Sequence, residues 1–284
     1  MQNLEQITRL VCQVAREAGS YIKKERECFS LEKVERKHAH DYVSYVDKNS
    51  EQLIIKALRE ILPDAAFITE EGTTKNSQFS LQRHTLKERT PNSQFTWVVD
   101  PLDGTTNFIH GFAPYAVSIA LIQGDTILVG VVYEIVADEC FCAWQGGGAH
   151  MEMRNEKGEM RNERIHVGTS TINDALLCLQ LPYNSDAYKP VIQRLIQHFY
   201  GNVGSIRMIG SAAMALCYVA CGRLDGYAER YIGQWDFMAG ALIVQEAGGL
   251  VSSYSGSSVF MHGDSVIATN PRIHEELKAS VADS

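Results

Sequence analysis

Three apolar residues, Trp97-Val98-Val99, run directly into Asp100-Pro101-Leu102-Asp103-Gly104-Thr105-Thr106-Asn107-Phe108. An apolar run that stops this abruptly predicts a buried strand whose carboxyl end delivers two carboxylates three residues apart. Gly104 permits a tight turn, and the small residues after it leave backbone N–H groups free to meet an anion. Carboxylate oxygens suit a hard cation such as Mg²⁺, and exposed N–H groups suit phosphate. Set side by side, these features imply phosphoryl chemistry.

The bulk numbers agree. With 284 residues the chain can form one large or two medium domains. Its 26 basic and 34 acidic residues give a net charge of −8, which argues against a sequence-independent nucleic-acid binder. An acidic chain acting on a phosphate needs a cation between carboxylates and substrate. The N-terminus lacks the apolar stretch of a signal peptide, and no apolar run reaches the roughly 18 residues of a membrane span. Seven cysteines occur without a CxxC pair. Cys140 and Cys142 share a strand face and Cys217 and Cys221 lie one helical turn apart, but no His or second Cys pair completes a zinc site in either place. They are expected to be buried free thiols in a reducing, cytoplasmic setting without membrane attachment.

Periodicity predicts amphipathic helices over 4–26 and from Asp47 to Ile61, the second stopping before Pro63. A short strand, Ala66-Phe67-Ile68, leads to Glu70-Glu71-Gly72. Residues 73–95 are polar and aperiodic and predict a surface loop. Strands are expected at 95–99, 115–122, 126–135 and 139–144, with Gly124-Asp125 as a hairpin turn. Gly146-Gly147-Gly148 breaks this pattern, near the point where a second unit would begin, and fits no phosphate-binding fingerprint. Strands near 175–180, 204–208, 224–228, 250–253 and 265–269 then alternate with helices over 189–200, 210–221 and 236–247. A last helix follows Pro271. The alternation predicts layered sheets between helices.

Asp47 and Asp236 each stand where an ordinary helix N-cap would, and Glu70-Glu71 could be a solvated strand end. The ordered set changes that reading. Asp100-Pro-Leu-Asp-Gly-Thr-Thr-Asn-Phe108, Trp235-Asp-Phe-Met-Ala-Gly240 and Phe67-Ile-Thr-Glu-Glu71 together resemble the inositol monophosphatase family, among the lithium-sensitive, Mg²⁺-dependent phosphatases. The resemblance covers nearly the whole chain. It implies a layered αβαβα sandwich of the α+β class, a homodimer, lithium inhibition and two or three Mg²⁺ ions.

By that resemblance, Glu70, Asp100 and the Leu102 carbonyl hold one ion. Asp100, Asp103 and Asp236 hold a second, and a third binds through water near Glu70. Thr105 and Asp47 match the pair that orients the attacking water, beside Glu70. Substrate contacts are implied at Asp103, Gly104, Thr105, Ser211, Ala212, Glu229 and Asp236, with Glu229 accepting from inositol hydroxyls. Residues 1–145 would form a unit carrying most of the metal ligands, and 146–284 a unit carrying Asp236 and the substrate-facing residues. The implied activity is hydrolysis of myo-inositol monophosphate. Histidinol phosphate, fructose 1,6-bisphosphate and a 3′-phosphoadenosine nucleotide are rival substrates for the same chemistry, and a regulatory binding protein is a rival of another kind. Two features depart from the family pattern: a longer connection between Glu71 and Asp100, and no plain counterpart of the basic residue before Asp47. Lys37, beside Arg36 and His38, stands nearest to that place.

Overall fold

The computed structural model describes residues 3–29, 34–38, 41–73, 94–181, 185–257 and 265–281, with backbone alone for 34–38, 41–43 and 185–187. Most of the 73–95 loop and the side chains of Arg36, Lys37 and His38 therefore lie outside the described residues. Helix α1 (Leu4–Glu27) begins where the Asn3 side chain accepts the Gln6 N–H, and it buries Ile7, Val11, Val14, Ala15, Ala18 and Ile22 along one stripe. A hairpin of β1 (Val34–His38) and β2 (Asp41–Ser44) leads into α2 (Tyr45–Ile61), which Ser44 caps. The residue before Pro63 is disfavoured in helical geometry, and α2 stops there.

Seven strands follow one another in space as they do in sequence: β3 (Ala66–Thr69), β4 (Thr96–Asp103), β5 (Ala116–Gln123), β6 (Thr126–Glu134), β7 (Glu139–Trp144), β8 (Gly148–Arg154) and β9 (Met160–Arg164). Only β3 and β4 are parallel; the other pairs are antiparallel. The short helix α3 (Thr105–His110) sits between β4 and β5. Gly146 and Gly148 take positive φ and turn β7 directly back into β8. The chain on either side of 145/146 thus belongs to one sheet, which continues to Arg164.

The second sheet runs β11-β10-β12-β14-β13, formed by β10 (Leu176–Leu179), β11 (Ser205–Arg207), β12 (Gly226–Arg230), β13 (Leu250–Ser252) and β14 (Ser265–Thr269). Helices α4 (Ser185–Phe199), α5 (Ala212–Ala220), α6 (Gln234–Glu246) and α7 (His274–Val281), with a short 3-10 turn at Ile172–Asp174, complete the described elements. Strict alternation explains the stacking, because successive strand residues face opposite sides. Trp97 and Val99 join the core under α1 and α2, whereas Val98 joins the core of α5 and α6. On the second sheet Tyr227 and Ala268 face α5 and α6, while Ala228 and Ile267 face α4 and α7. The result is the expected αβαβα sandwich, with α5 and α6 as its middle layer.

That middle layer is nearly apolar throughout, as a helix pair buried between two sheets must be. It also packs closely. A Cβ on Gly130 of β6 would stand 2.5 Å from the Ala239 carbonyl oxygen of α6. Since the obstacle is backbone, relief requires the helix to move off the sheet. Gly130→Ala should therefore cost about 1–3 kcal/mol of unfolding free energy in urea titration. An unchanged midpoint would show that the layer is looser than this.

Candidate metal centre

The decisive local feature is an irregularity in β4. Asp100 pairs with Ser118 and Asp103 with Ala116, so three steps along β4 match two along β5. In a regular strand, residues three apart point to opposite faces. The extra residue of this bulge restores Asp103 to the side of Asp100. Pro101 is tolerated here because a bulge does not require its missing N–H. The Pro101 carbonyl accepts from the Ser50 hydroxyl of α2 at 3.3 Å. Asp100 accepts the Leu102 N–H at 2.9 Å, which fixes its carboxylate over the bulge.

Asp236 arrives from α6. Its carboxylate accepts the Gly233 N–H at 2.8 Å, the helix-capping contact expected of an acid at that position. Ser118, the residue paired with Asp100, donates to the Trp235 carbonyl at 3.1 Å and ties the start of α6 to β5. Asp103 meets the start of α5, accepting from the Ser211 hydroxyl and from the Ala212 and Ala213 N–H groups at 3.2 Å. Carboxylate oxygens of Asp100, Asp103 and Asp236 consequently all lie within 4.8 Å of one another. Glu70 follows β3, its N–H donating to Val99 at 3.2 Å, and its charge acts on all three aspartates.

Helix α2 supports the opposite wall. Asp47 is buried and accepts from the Ser44 N–H at 2.9 Å and from the Thr105 hydroxyl at 3.0 Å. Thr105 Oγ1 also lies 3.0 Å from the Leu102 carbonyl oxygen. One turn on, buried Glu51 accepts the Glu71 N–H at 2.8 Å and the Thr73 N–H at 2.7 Å. Asp47, Ser50 and Glu51 occupy one helix face at i, i+3 and i+4. A single face thus fixes Thr105, the bulge and the chain after Glu70. Gly104, at φ +84°, turns the chain between Asp103 and Thr105, and the Gly210 and Pro114 carbonyls would stand 3.2 Å from any Cβ there. Asn107 donates to Pro114 at 2.8 Å and to Ile209 at 2.7 Å, joining those two segments.

The cluster is electrostatically unfavourable as a set of bare carboxylates. Burial, then Glu70, Asp103 and Asp236, push Asp100 well above the usual carboxylate range. Burial raises Asp103 to about 7 against the pull of its three donors, and Asp236 is raised by burial and by Glu70, Asp103 and Glu229. Buried like charges at this spacing are stable when a cation neutralises them. An all-oxygen, multiply anionic donor set fits Mg²⁺ or a similar hard ion. Glu229 of β12 is half-buried, raised to about 7 chiefly by burial, and accepts from the Tyr227 hydroxyl at 2.5 Å. Its charge reaches Asp103 and Asp236, so it borders the same site.

A sequence profile described as the inositol monophosphatase family matches residues 3–284. The chain belongs to the inositol monophosphatase family. It is 35% identical to a Pasteurella multocida protein named Nus factor SuhB, over 94% of this chain and 92% of that one. The crystal structure of extragenic suppressor protein SuhB from Bartonella henselae superposes with a TM-score of 0.83 at 30% identity, covering 97% and 98% of the two chains. An inositol monophosphatase from Anabaena superposes at 0.79 with 28% identity, covering 99% and 97%. Membership in the inositol monophosphatase family indicates a phosphatase that uses divalent metal, and the acidic cluster is placed accordingly.

Within this family member, sequence reasoning missed Glu51, Ser50, Ser118 and Asn107. Spacing from Asp47 could have suggested Ser50 and Glu51, since they share its helix face. Ser118 bonds to backbone far along the chain and no local pattern marks it, while Asn107 stands in the Asp100–Phe108 motif but its bond to Ile209 is not readable from sequence. Ser211 and Ala212 are buried and direct their donors at Asp103.

The raised carboxylates give a signed expectation for metal-stripped protein. A group with a raised folded-state pKa holds protons that the unfolded chain has lost, so stability falls as pH rises from near 4 towards 7. The thermal midpoint should fall over that window, less steeply in Asp103→Asn, and Mg²⁺ should restore it at neutral pH. Identical profiles for parent and variant would contradict the cluster's electrostatics.

Proposed function

We propose that the chain is a Mg²⁺-dependent phosphomonoesterase that hydrolyses myo-inositol monophosphate to inositol and phosphate. The observation that supports this most is the meeting of Asp100, Asp103 and Asp236 within 4.8 Å, beside a threonine hydrogen-bonded to a buried aspartate. Glu70, Asp100 and the Leu102 carbonyl would hold one ion, and Asp100, Asp103 and Asp236 another, with a third near Glu70. When bound, Mg²⁺ supplies charge neutralisation for the phosphate and activation of water.

The chain's own groups supply orientation. Thr105 has one hydroxyl proton, and Asp47 accepts it while Ser44 fixes the carboxylate. The free lone pair of Thr105 then accepts a hydrogen bond from an incoming water and aims that water for in-line attack. The N–H groups of Gly104 and Thr105, with Ser211 and Ala212 at the start of α5, line the phosphate side. Glu229 has one oxygen engaged by Tyr227, and the other is suited to the hydroxyls of a polyol. The aspartates act as ligands, so no phosphoenzyme forms. In this reading the enzyme is a cytoplasmic, lithium-sensitive homodimer. Free cysteines and the lack, among described residues, of a helix long and apolar enough to cross a membrane agree with that setting.

A second reading comes from the relatives named Nus factor. Here a surface of this chain would serve a transcription assembly through protein contacts, since a net charge of −8 disfavours direct nucleic-acid binding. Substitution Asp100→Asn separates the two, losing hydrolysis and keeping contacts made elsewhere.

Phosphate release should occur with Mg²⁺ and not with EDTA, and myo-inositol monophosphate should give the highest kcat/KM among inositol, histidinol, fructose 1,6-bis- and 3′-phosphoadenosine esters. Asp100→Asn should lower kcat by at least about a hundredfold at saturating Mg²⁺. Near-parental turnover in that variant, or a trapped phospho-aspartate, would contradict the scheme.

A further inference from the structure

The face of the large sheet turned towards α1, opposite the acidic cluster, carries a second convergence of ligand-type side chains. In the β7–β8 pair Cys140 stands opposite Glu152, and Cys142 stands opposite His150. Both cysteines belong to the core under α1, and Cys12 of α1 descends onto them. The Sγ atoms of Cys12 and Cys140 and a carboxylate oxygen of Glu152 all lie within 4.8 Å of one another. Cys142, two residues along β7 from Cys140, lies on the same strand face and in the same core as Cys12. A cleft of about 370 Å³ opens on this cluster, with Cys12, Cys142, His150 and Glu152 among its walls. An isolated buried cysteine behaves as a small apolar side chain. Two that meet a carboxylate, with a third on the same strand face at the wall of an open cleft, form a donor set.

We propose that Cys12, Cys140 and Cys142, with Glu152, bind a thiophilic d¹⁰ cation of the Zn²⁺ class, at a site separate from the acidic cluster. Around a tetrahedral ion with Zn–S bonds of about 2.3 Å, ligand atoms stand about 3.8 Å apart. The Cys12, Cys140 and Glu152 atoms, already within 4.8 Å of one another, need to draw in by about 1 Å, and Cys142 would complete the set from the same strand face. Sulfur selects a softer ion than the all-oxygen cluster does, so the two sites discriminate by ligand type. On binding, the three thiols lose three protons, and the tris-thiolate of a divalent ion carries one negative charge. Glu152 adds a second, which Arg16, whose guanidinium lies 3.3 Å from that carboxylate, offsets in part. The ion would add a bond between α1 and the β7–β8 pair, which already meet through their core packing and the Arg16–Glu152 ion pair.

The site is tested on the full-length, reduced protein, freed of metal and titrated with Co²⁺ alone as a spectroscopic stand-in for Zn²⁺. Expected is a near-ultraviolet sulfur-to-cobalt charge-transfer band that saturates at one equivalent and disappears when Zn²⁺ is added. Oxygen-only ligation at the acidic cluster cannot produce that band. Cys12→Ala and Cys140→Ala should each abolish it, and Cys28→Ala, at an exposed position, should leave it intact. Absence of the band in the parent, or its survival in both cluster variants, overturns the proposal. Because core variants can fail to fold, the parent is also probed by alkylation and mass spectrometry. Zn²⁺ should slow modification of Cys12, Cys140 and Cys142 while Mg²⁺ does not, and equal rates with the two ions would overturn the site independently.

Discussion

Like-charge repulsion inside a buried pocket governs the architecture of this protein. Asp100 and Asp103 are nearly inaccessible to solvent, and Asp236 and Glu70 press on them electrostatically. A fold left to itself would separate such groups or protonate them. Here the bulge in β4 turns two acids to one side, and the α6 cap brings a third alongside. The arrangement therefore carries a built-in deficit that a divalent cation removes. Stability given up at a site and recovered by a ligand is a common way for a fold to prepare chemistry.

Rigid elements hold the acids in place. Each carboxylate is oriented by a contact of its own: Leu102 for Asp100, the start of α5 for Asp103, Gly233 for Asp236, and Ser44 for Asp47. Helix α2 acts as a bracket, reaching Thr105, Pro101 and the chain after Glu70 from three positions on one face. The close approach of α6 to Gly130 matters for the same reason, since a displaced α6 would carry Asp236 with it.

Much of this was legible in the sequence, and the exceptions have physical causes. The buried strand ending in Asp100 and Asp103 was marked by its apolar run, and α1 and α2 by their stripes. The apolar segment after Trp235 marked α6. Hairpin β1–β2, strands β8 and β9 and helix α3 were not foreseen. Strand β9 is exposed along its whole length, so no alternation of apolar residues betrays it. The triple glycine reads as a break because glycine marks a turn without saying where the chain goes next, and in the structure it returns to the same sheet. The bulge could not be read either, because it exists only relative to the register of β5. Ser118 and Cys12 illustrate the same limit: residue type is visible in a sequence, whereas a distant partner is not.

The bulge of β4 and the cap of α6 together create one divalent-cation centre. Anomalous diffraction from crystals soaked in Mn²⁺, an ion that favours the same oxygen ligands as Mg²⁺, tests this most directly. Anomalous peaks are expected within the pocket bounded by Asp100, Asp103 and Asp236, extending towards Glu70. Peaks only at other carboxylates, with this pocket vacant at saturating Mn²⁺, would contradict it.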